Sequence, residues 1–203
     1  MTLLLIDYRS SGSWQRGRDK DSLTHSLTHS LTHSLMNKFD KYVDARCGLL
    51  DLFDCSFDSQ DLQLLHSHYL TRSHTHISGS EEVTVVGLRF GHTAIDLAGA
   101  ENIATALLSP HCTLQKLQFL RNELGSESIS VIASSLVENV SLIALEVVDD
   151  EVTVMGMRAV AASLLHSRAL QSLSLINSSI TSGSGLDALR DSLRVNTTLH
   201  TLE

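Results

Sequence analysis

Residues 114–119 read Leu-Gln-Lys-Leu-Gln-Phe, and this arrangement of large apolar residues at the first, fourth and sixth positions returns throughout the second half of the chain. The first position is filled in turn by Val85, Leu114, Leu142, Leu170 and Leu199, at spacings of 29, 28, 28 and 29 residues. A fixed period in this range is typical of an array of stacked supersecondary units.

Each unit continues with a second apolar pattern. Pairs four residues apart lie on one face of a helix, and they recur in register as Ile103 and Leu107, Ile132 and Leu136, Val160 and Leu164, and Leu189 and Leu193. The alternating positions at the start of each unit are typical of a strand. The sequence therefore predicts an α/β fold of strand–turn–helix units with a parallel sheet. Residues 81–203 are expected to form four complete units and to be truncated in the fifth.

The spacing, together with the segment Leu193-Arg-Val-Asn-Thr-Thr-Leu-His-Thr-Leu202, resembles ribonuclease-inhibitor-like leucine-rich repeats. Such repeats occur in NOD-like receptors, in the Ran GTPase-activating protein and in tropomodulins. The resemblance implies a solenoid whose parallel sheet lines the concave face. The family favours Asn at a turn eight residues after the first Leu, where this chain has Thr93, Asn122, Asp150 and Ser178.

Composition limits the partners. The chain has a net charge of −8, and residues 81–203 carry 7 basic and 14 acidic residues, a net of −7. An acidic array does not match a nucleic acid or an anionic membrane surface. The three cysteines do not form a disulfide framework, and no segment is long and apolar enough for a membrane helix. We expect a cytoplasmic protein with reduced thiols.

The first third of the chain differs from the array. Residues 22–35 repeat Ser-Leu-Thr-His, which is the translation expected from a simple tetranucleotide DNA repeat. Residues 1–36 are therefore predicted to be low-complexity, and either disordered or mistranslated. A helix would place His25 and His29 at a metal-binding spacing, but no carboxylate or Cys completes a site nearby. We therefore expect no metal and no cofactor.

Residues 37–80 allow two interpretations. They form separate helices, or they form a degenerate repeat that caps the array. The second interpretation places Cys47, Leu50, Leu52, Cys55 and Phe57 on the repeat template. It requires an insertion of about nine residues within 71–80 before the next unit begins, and terminal repeats of such arrays are usually atypical.

Because side chains alternate along a strand, the residues between the inward positions point outward. These residues, with those just past each strand, are the predicted partner-binding set: Arg89, Lys116, Gln118, Leu120, Arg121, Glu146, Val148, Asp149, Ser174, Ile176 and Asn177. Leu120, Val148 and Ile176 would form an apolar stripe across adjacent strands, unless they tuck under a turn. Glu146, Asp149, Asp150 and Glu151 form an acidic group that either meets a basic partner or is a solvated turn.

These patterns favour a protein–protein interaction scaffold that binds another protein on the concave face. No phosphate loop or nucleophile elbow is present, so no catalytic residue is expected and the chain is predicted not to be an enzyme. Two alternatives follow from the resemblance: an activator of a small GTPase, or the sensor fragment of a larger NOD-like receptor. An uncapped fifth unit also predicts self-association through the C-terminal end.

Overall fold

The strands predicted at the start of each unit lie side by side in one sheet. The protein is described here by a computed structural model, which defines residues 39–56, 59–70, 75–76, 82–177 and 183–203, all within the compact unit Met36–Glu203. The seven-stranded sheet has the order β1-β2-β5-β6-β7-β8-β9. Strand β1 is antiparallel to β2, and every later pair in the sheet is parallel.

The strands are β1 (Val43–Asp44), β2 (Leu49–Phe53), β3 (Thr75–His76), β4 (Glu82–Val83), β5 (Gly87–Gly91), β6 (Lys116–Leu120), β7 (Ala144–Val148), β8 (Ser172–Ile176) and β9 (Thr201–Leu202). Strands β3 and β4 pair with each other, antiparallel and apart from the main sheet. The helices are α1 (Ser59–Leu65), α2 (Leu97–Leu108), α3 (Ser126–Ser135), α4 (Val154–Leu164) and α5 (Gly183–Leu193). A 3₁₀ turn (Asp40–Tyr42) precedes β1, and a π-helical turn (His66–Leu70) follows α1.

The inward positions of β2 and of β5 to β8 are buried, as the pattern predicts for the repeated strands. Leu88 and Phe90 of β5 lie opposite Leu117 and Phe119 of β6, and all four are fully buried. The rings of Phe90 and Phe119 stack with their centroids 5.6 Å apart. These strand residues share one continuous core with the helix residues that the four-residue spacing identified, including Ile103 and Leu107.

The helices cover one face of the sheet, since the buried strand and helix side chains belong to one core. Each of α1 to α4 packs against the next helix along the chain. Helix α2 begins where the Asp96 carboxylate accepts a hydrogen bond from the Gly99 N–H at 2.8 Å, which caps the first turn. The other face of the sheet, here called the outer face, carries the remaining side chains.

Strand β2 extends the sheet on the N-terminal side. Leu50 and Leu52 lie opposite Leu88 and Phe90 and are fully buried. Below them, the rings of Phe39 and Tyr69 meet edge to face at 5.7 Å. The Tyr69 hydroxyl donates to the Asp40 carboxylate at 2.7 Å. The pKa of Tyr69 is raised mainly by burial and secondly by this hydrogen bond.

Several sequence predictions fall outside the described residues. These are residues 1–36 with their histidine repeat, most of the proposed insertion at 71–80, Phe57 of the capping template and Ser178 of the turn position. At the opposite side of the sheet, β9 pairs with β8 and the Leu202 side chain is 44% exposed. Self-association at this side stays a prediction.

Candidate functional site

Strand register arranges the outer face into rows that cross the sheet. The polar row runs Asp51, Arg89, Gln118, Glu146 and Ser174. The apolar row runs Phe53, Gly91, Leu120, Val148 and Ile176. The strand-end row consists of the residues that follow each strand: Asp54, His92, Arg121, Asp149 and Asn177. The apolar row therefore lies between two polar rows.

The apolar row is half-buried to exposed. Leu120 and Val148 are half-buried, whereas Ile176 is 38% and Phe53 is 41% exposed. Gly91 has no side chain, and the ring of Phe53 occupies the space above it. The Phe53 ring also contacts the His92 imidazole, with the two centroids 4.8 Å apart. Phe53 therefore fills the gap that Gly91 leaves, and the row is continuous.

Charges in the polar row are paired across neighbouring strands. The Arg89 guanidinium forms a two-pronged ion pair with Asp51, in which Nε donates at 2.9 Å. This bond is the main cause of the raised pKa of Arg89. Glu146 accepts a hydrogen bond from the Gln118 amide and lies 3.8 Å from the Lys116 ammonium. These contacts hold long side chains in place on an otherwise open surface.

The strand-end row has an unusual backbone. All five of its residues have φ between 51° and 56°, the left-handed region that residues other than glycine seldom adopt. Asp, His and Asn tolerate this conformation better than most, and they fill every position but Arg121. Four of these residues donate their N–H to the carbonyl at the end of the next strand, as Arg121 does to Val148 at 2.9 Å. The turn is thus the same in each unit.

Side chains of the strand-end row also pair along the row. Arg121 Nε donates to the Asp149 carboxylate at 2.8 Å, and Asn177 Nδ2 donates to its other oxygen at 2.9 Å. The Asn177 bond, followed by the Arg121 bond, lowers the pKa of Asp149. His92 Nδ1 lies 3.2 Å from the Asp54 carboxylate. Two donors therefore favour the ionised form of Asp149.

The predicted turn position lies beneath this row and is buried. The Thr93 N–H donates to Asn122 Oδ1 at 3.1 Å, and the Asn122 N–H donates to Asp150 Oδ1 at 2.8 Å. Asn122 Nδ2 in turn donates to the Phe90 carbonyl at 3.2 Å. This ladder ties each turn to the next. Departures from Asn at this position are accommodated because Thr93 and Asp150 still bond the backbone.

One part of the acidic group is not on the surface. Asp150 is 2% exposed, and burial raises the pKa of its carboxyl group. Its Oδ2 has no hydrogen-bond partner among the described residues. Glu146 and Asp149 do face outward, and Glu151 is exposed. The prediction of four surface carboxylates is therefore wrong for Asp150, because its place in the strand–turn–helix unit is the buried turn.

The eleven predicted partner-binding residues all fall on the rows or beside them. Lys116 and Arg121 are exposed, and Arg89, Gln118, Glu146, Val148 and Asp149 are half-buried with Leu120. Ile176 and Asn177 are exposed at the β8 end. Ser174 differs, since it is only 8% exposed and its hydroxyl has no partner in the described part of the chain. Ser174 therefore offers little surface to a partner.

The contribution of β2 to the outer face was not predicted. Asp51 belongs to the polar row, Phe53 to the apolar row and Asp54 to the strand-end row. The signal was available, because the capping template that places Leu50 fourth and Leu52 sixth also places Phe53 seventh, in the position of Leu120. A constant period does not indicate this correspondence, because Cys47 and Val85 are 38 residues apart and the later units repeat every 28 or 29 residues.

A second exposed apolar surface lies on the helix side. Leu108 and Val137 line a groove between α2 and α3, and they are 49% and 39% exposed. Val140, in the connection to β7, is 83% exposed. The groove walls are mostly small or polar side chains of Ala104, Thr105, Ser130 and Ser134. These exposed valines provide matched controls for the outer face.

Among helices in the described ranges, none is both long and apolar enough to cross a membrane. Within the same part of the chain, no group of three or more His, Cys, Asp or Glu side chains is placed to hold a metal ion.

No family model matches the chain, and no curated protein matches it. One similar solved structure is described as "Leiomodin-1 Actin-Binding Site 2 (ABS2)", with 22% sequence identity and a TM-score of 0.48. The match covers 53% of this chain and 62% of that structure, less than two thirds of its length.

Proposed function

We propose that this chain is a leucine-rich repeat solenoid that serves as a protein-interaction scaffold and not as an enzyme. The observation that carries the proposal is the apolar row, which places Phe53, Leu120, Val148 and Ile176 across five parallel strands. Contiguous apolar surface bordered by polar groups commonly marks a protein contact. In a solenoid of this kind the outer face is the concave one.

The pairing of the surrounding charges supports the same proposal. Arg89 is already paired with Asp51, and Arg121 with Asp149, in the absence of a partner. A surface whose long side chains are fixed before binding loses less conformational entropy when a partner arrives. The strand-end turns are also tied together by backbone hydrogen bonds, so the rows keep their spacing. The outer face is therefore preorganised.

The partner we propose is another protein in the cytoplasm. On the outer face, Asp51, Asp54, Glu146 and Asp149 oppose only three permanently basic residues, Arg89, Lys116 and Arg121. This balance does not provide the concentrated positive charge that nucleic-acid phosphates or anionic lipids require.

The test is a quantitative capture experiment with the immobilised full chain. The double variant Leu120→Asp/Val148→Asp places two carboxylates in the apolar row. The affinity for a partner that binds there should fall at least tenfold, because each carboxylate would be buried in the interface without a counterion. The matched control is Val140→Asp, which makes the same kind of change at an exposed valine on the helix side.

Proteins that are kept by wild type and by the Val140 control but lost by the double variant support the proposal. Circular dichroism and the urea midpoint of the double variant must match those of wild type. If capture is lost equally in the control, or not lost in either variant, the outer face is not the binding surface.

A further inference from the structure

The order of charges beside the apolar row carries information about what binds there. Strand β2 supplies two acidic residues, Asp51 and Asp54. Strands β5 and β6 supply the basic residues Arg89, Lys116 and Arg121, while β7 returns to acidic with Glu146 and Asp149. Strand β8 supplies the uncharged Ser174 and Asn177. The face therefore reads acidic, basic, acidic and neutral from β2 to β8.

These bands flank the apolar row on both sides. In β2, Asp51 lies in the polar row and Asp54 lies in the strand-end row. Arg89 and Arg121 take the two sides within the basic band, and Glu146 and Asp149 take the two sides in β7. Charges of one sign thus lie on both sides of the apolar row in β2 and in β7, whereas the basic band has Arg89 on one side in β5 and Arg121 on the other side after β6.

The spacing of the row distinguishes the kinds of segment that could lie on it. Neighbouring strands are about 4.8 Å apart, so the apolar side chains recur at about that interval across the sheet. A helix returns a side chain to the same face about every 5.4 Å, one turn at a time. An extended segment does so only about every 6.7 Å. Over the four strands from β5 to β8, about three helical turns match the row.

We propose that the occupant of the outer face is an amphipathic α-helix of the partner protein, lying across the strands. Its apolar stripe packs on Phe53, Leu120, Val148 and Ile176. Its flanking charges run basic over β2, acidic over β5 and β6, basic over β7 and uncharged over β8. This inference rests on the proposed function and specifies the partner segment.

The surface charges remain able to meet such a helix although they are already paired. Arg121 is 64% exposed in its side chain and Lys116 is 51% exposed. Arg121 donates from Nε to Asp149, and a guanidinium has five N–H donors, so its remaining N–H groups can donate to a carboxylate of the helix as well. The Asp54 side chain is 69% exposed and can accept a basic group from the helix. The neutral β8 end makes the order of bands asymmetric, which sets the direction of the helix.

The test uses three synthetic peptides of equal composition and their binding to the full chain, measured by fluorescence anisotropy. The first is an amphipathic helix with flanking charges in the order basic, acidic, basic. The second has the same apolar stripe with the order acidic, basic, acidic. The third arranges the residues in strict alternation for an extended conformation. The first should bind at least tenfold tighter than either of the others.

Two protein variants sharpen the result. In Glu146→Lys/Asp149→Lys the β7 band becomes basic, so the first peptide should lose at least tenfold in affinity and the second should gain. In Leu120→Asp/Val148→Asp both helical peptides should fail to bind, whereas Val140→Asp should bind them as wild type does. These outcomes distinguish the contribution of the charge order to peptide affinity from the contribution of the apolar stripe.

Equal binding of the two helical peptides, binding by neither of them, or tightest binding of the extended peptide would overturn the inference. The scaffold proposal is judged separately by the capture experiment. If a captured partner depends on Leu120 and Val148 but the peptide result is negative, the scaffold proposal is supported. The inference that the occupant is a helix is then wrong.

Discussion

The Phe53 ring lies over the α-carbon of Gly91 in the adjacent strand, in the space that a Gly91 side chain would otherwise fill. A β-carbon added at Gly91 would overlap the ring atoms of Phe53. Gly91 is needed here because of this contact, since its backbone is that of an ordinary strand. The pair joins β2 to the repeats that follow.

We expect Gly91→Ala to destabilise the protein by about 1–3 kcal/mol, the usual effect of forcing an extra carbon into a filled space. In a Phe53→Ala background, where the ring is absent, the same change should cost less than about 0.5 kcal/mol. Urea unfolding of the two single variants and the double variant gives the coupling. Additive effects would show that Phe53 is not held over Gly91.

A second set of polar contacts joins the end of one helix to the connection that follows the next helix. Asn139 Nδ2 donates to the Leu107 carbonyl at 2.7 Å, and its Oδ1 accepts from the N–H of Leu142 at 2.7 Å. Asn196 makes the same contacts with Leu164 and Leu199. The equivalent residue between them is Ser167, whose hydroxyl is buried without a partner among the described residues. Its side chain is too short to bridge both elements.

Ser167→Asn should therefore raise the free energy of unfolding by about 1 kcal/mol, the usual net value of a completed hydrogen bond. The new amide would reach the Leu136 carbonyl, which corresponds to those of Leu107 and Leu164. The reciprocal change Asn139→Ser should lower stability by a similar or larger amount, because buried backbone groups lose their partner. A lower urea midpoint for Ser167→Asn would contradict the equivalence of these positions.

How far the sequence predicted the structure depends on how regular each segment is. Leu88, Leu117, Leu145 and Leu173 could be assigned to the core because a constant period repeats the same physical requirement in each unit. Asp150 could not be placed correctly by charge, because its position in the unit and not its type determines its burial. A carboxylate at a turn normally predicts solvent exposure.

The outer face was predicted in its central strands and missed at β2. Leu120, Val148 and Ile176 follow from alternation alone, whereas Phe53 needs knowledge that β2 pairs with β5 across an irregular connection. The pairing of charges was also not predictable. Whether Arg121 bonds Asp149 depends on left-handed residues at both strand ends, and no local sequence rule places an Arg there.

Core truncation should have a large effect within the array. Leu145 is 4% exposed in β7, a strand that lies between β6 and β8 in the sheet. Leu145→Ala should cost about 2–5 kcal/mol, because removed methyl groups leave a cavity in packed surroundings. Ser172→Ala, at a half-buried outer position, is the control and should change stability by less than about 0.5 kcal/mol. Thermal and urea unfolding measure both, and equal effects would mean that the inward and outward faces are misassigned.

The buried Asp150 carboxyl group predicts an inverted pH dependence. Burial raises its pKa in the folded protein above the unfolded value of about 3.9. The folded state then binds more protons than the unfolded state between these two values, so the free energy of unfolding falls as the pH rises through them. The contribution of Asp150 is thus most favourable in acid and least favourable at neutral pH.

Asp150→Asn should remove this dependence and raise stability at pH 7. The amide Oδ1 can still accept from the N–H groups of Asn122 and Leu124, and the new Nδ2 can donate to the Phe119 carbonyl, as Asn122 does to Phe90. We expect the free energy of unfolding to rise by about 1 kcal/mol at pH 7, and this gain should shrink as the pH approaches 4.

Asp149→Asn is the matched control, and its effect on stability should depend on pH in the opposite direction. Donors lower the pKa of Asp149, so its contribution is present at neutral pH and is lost in acid. Urea midpoints at pH 4, 5 and 7 for both variants decide the matter, and a loss of stability in Asp150→Asn at pH 7 would mean that the ionised carboxylate itself is required in the ladder.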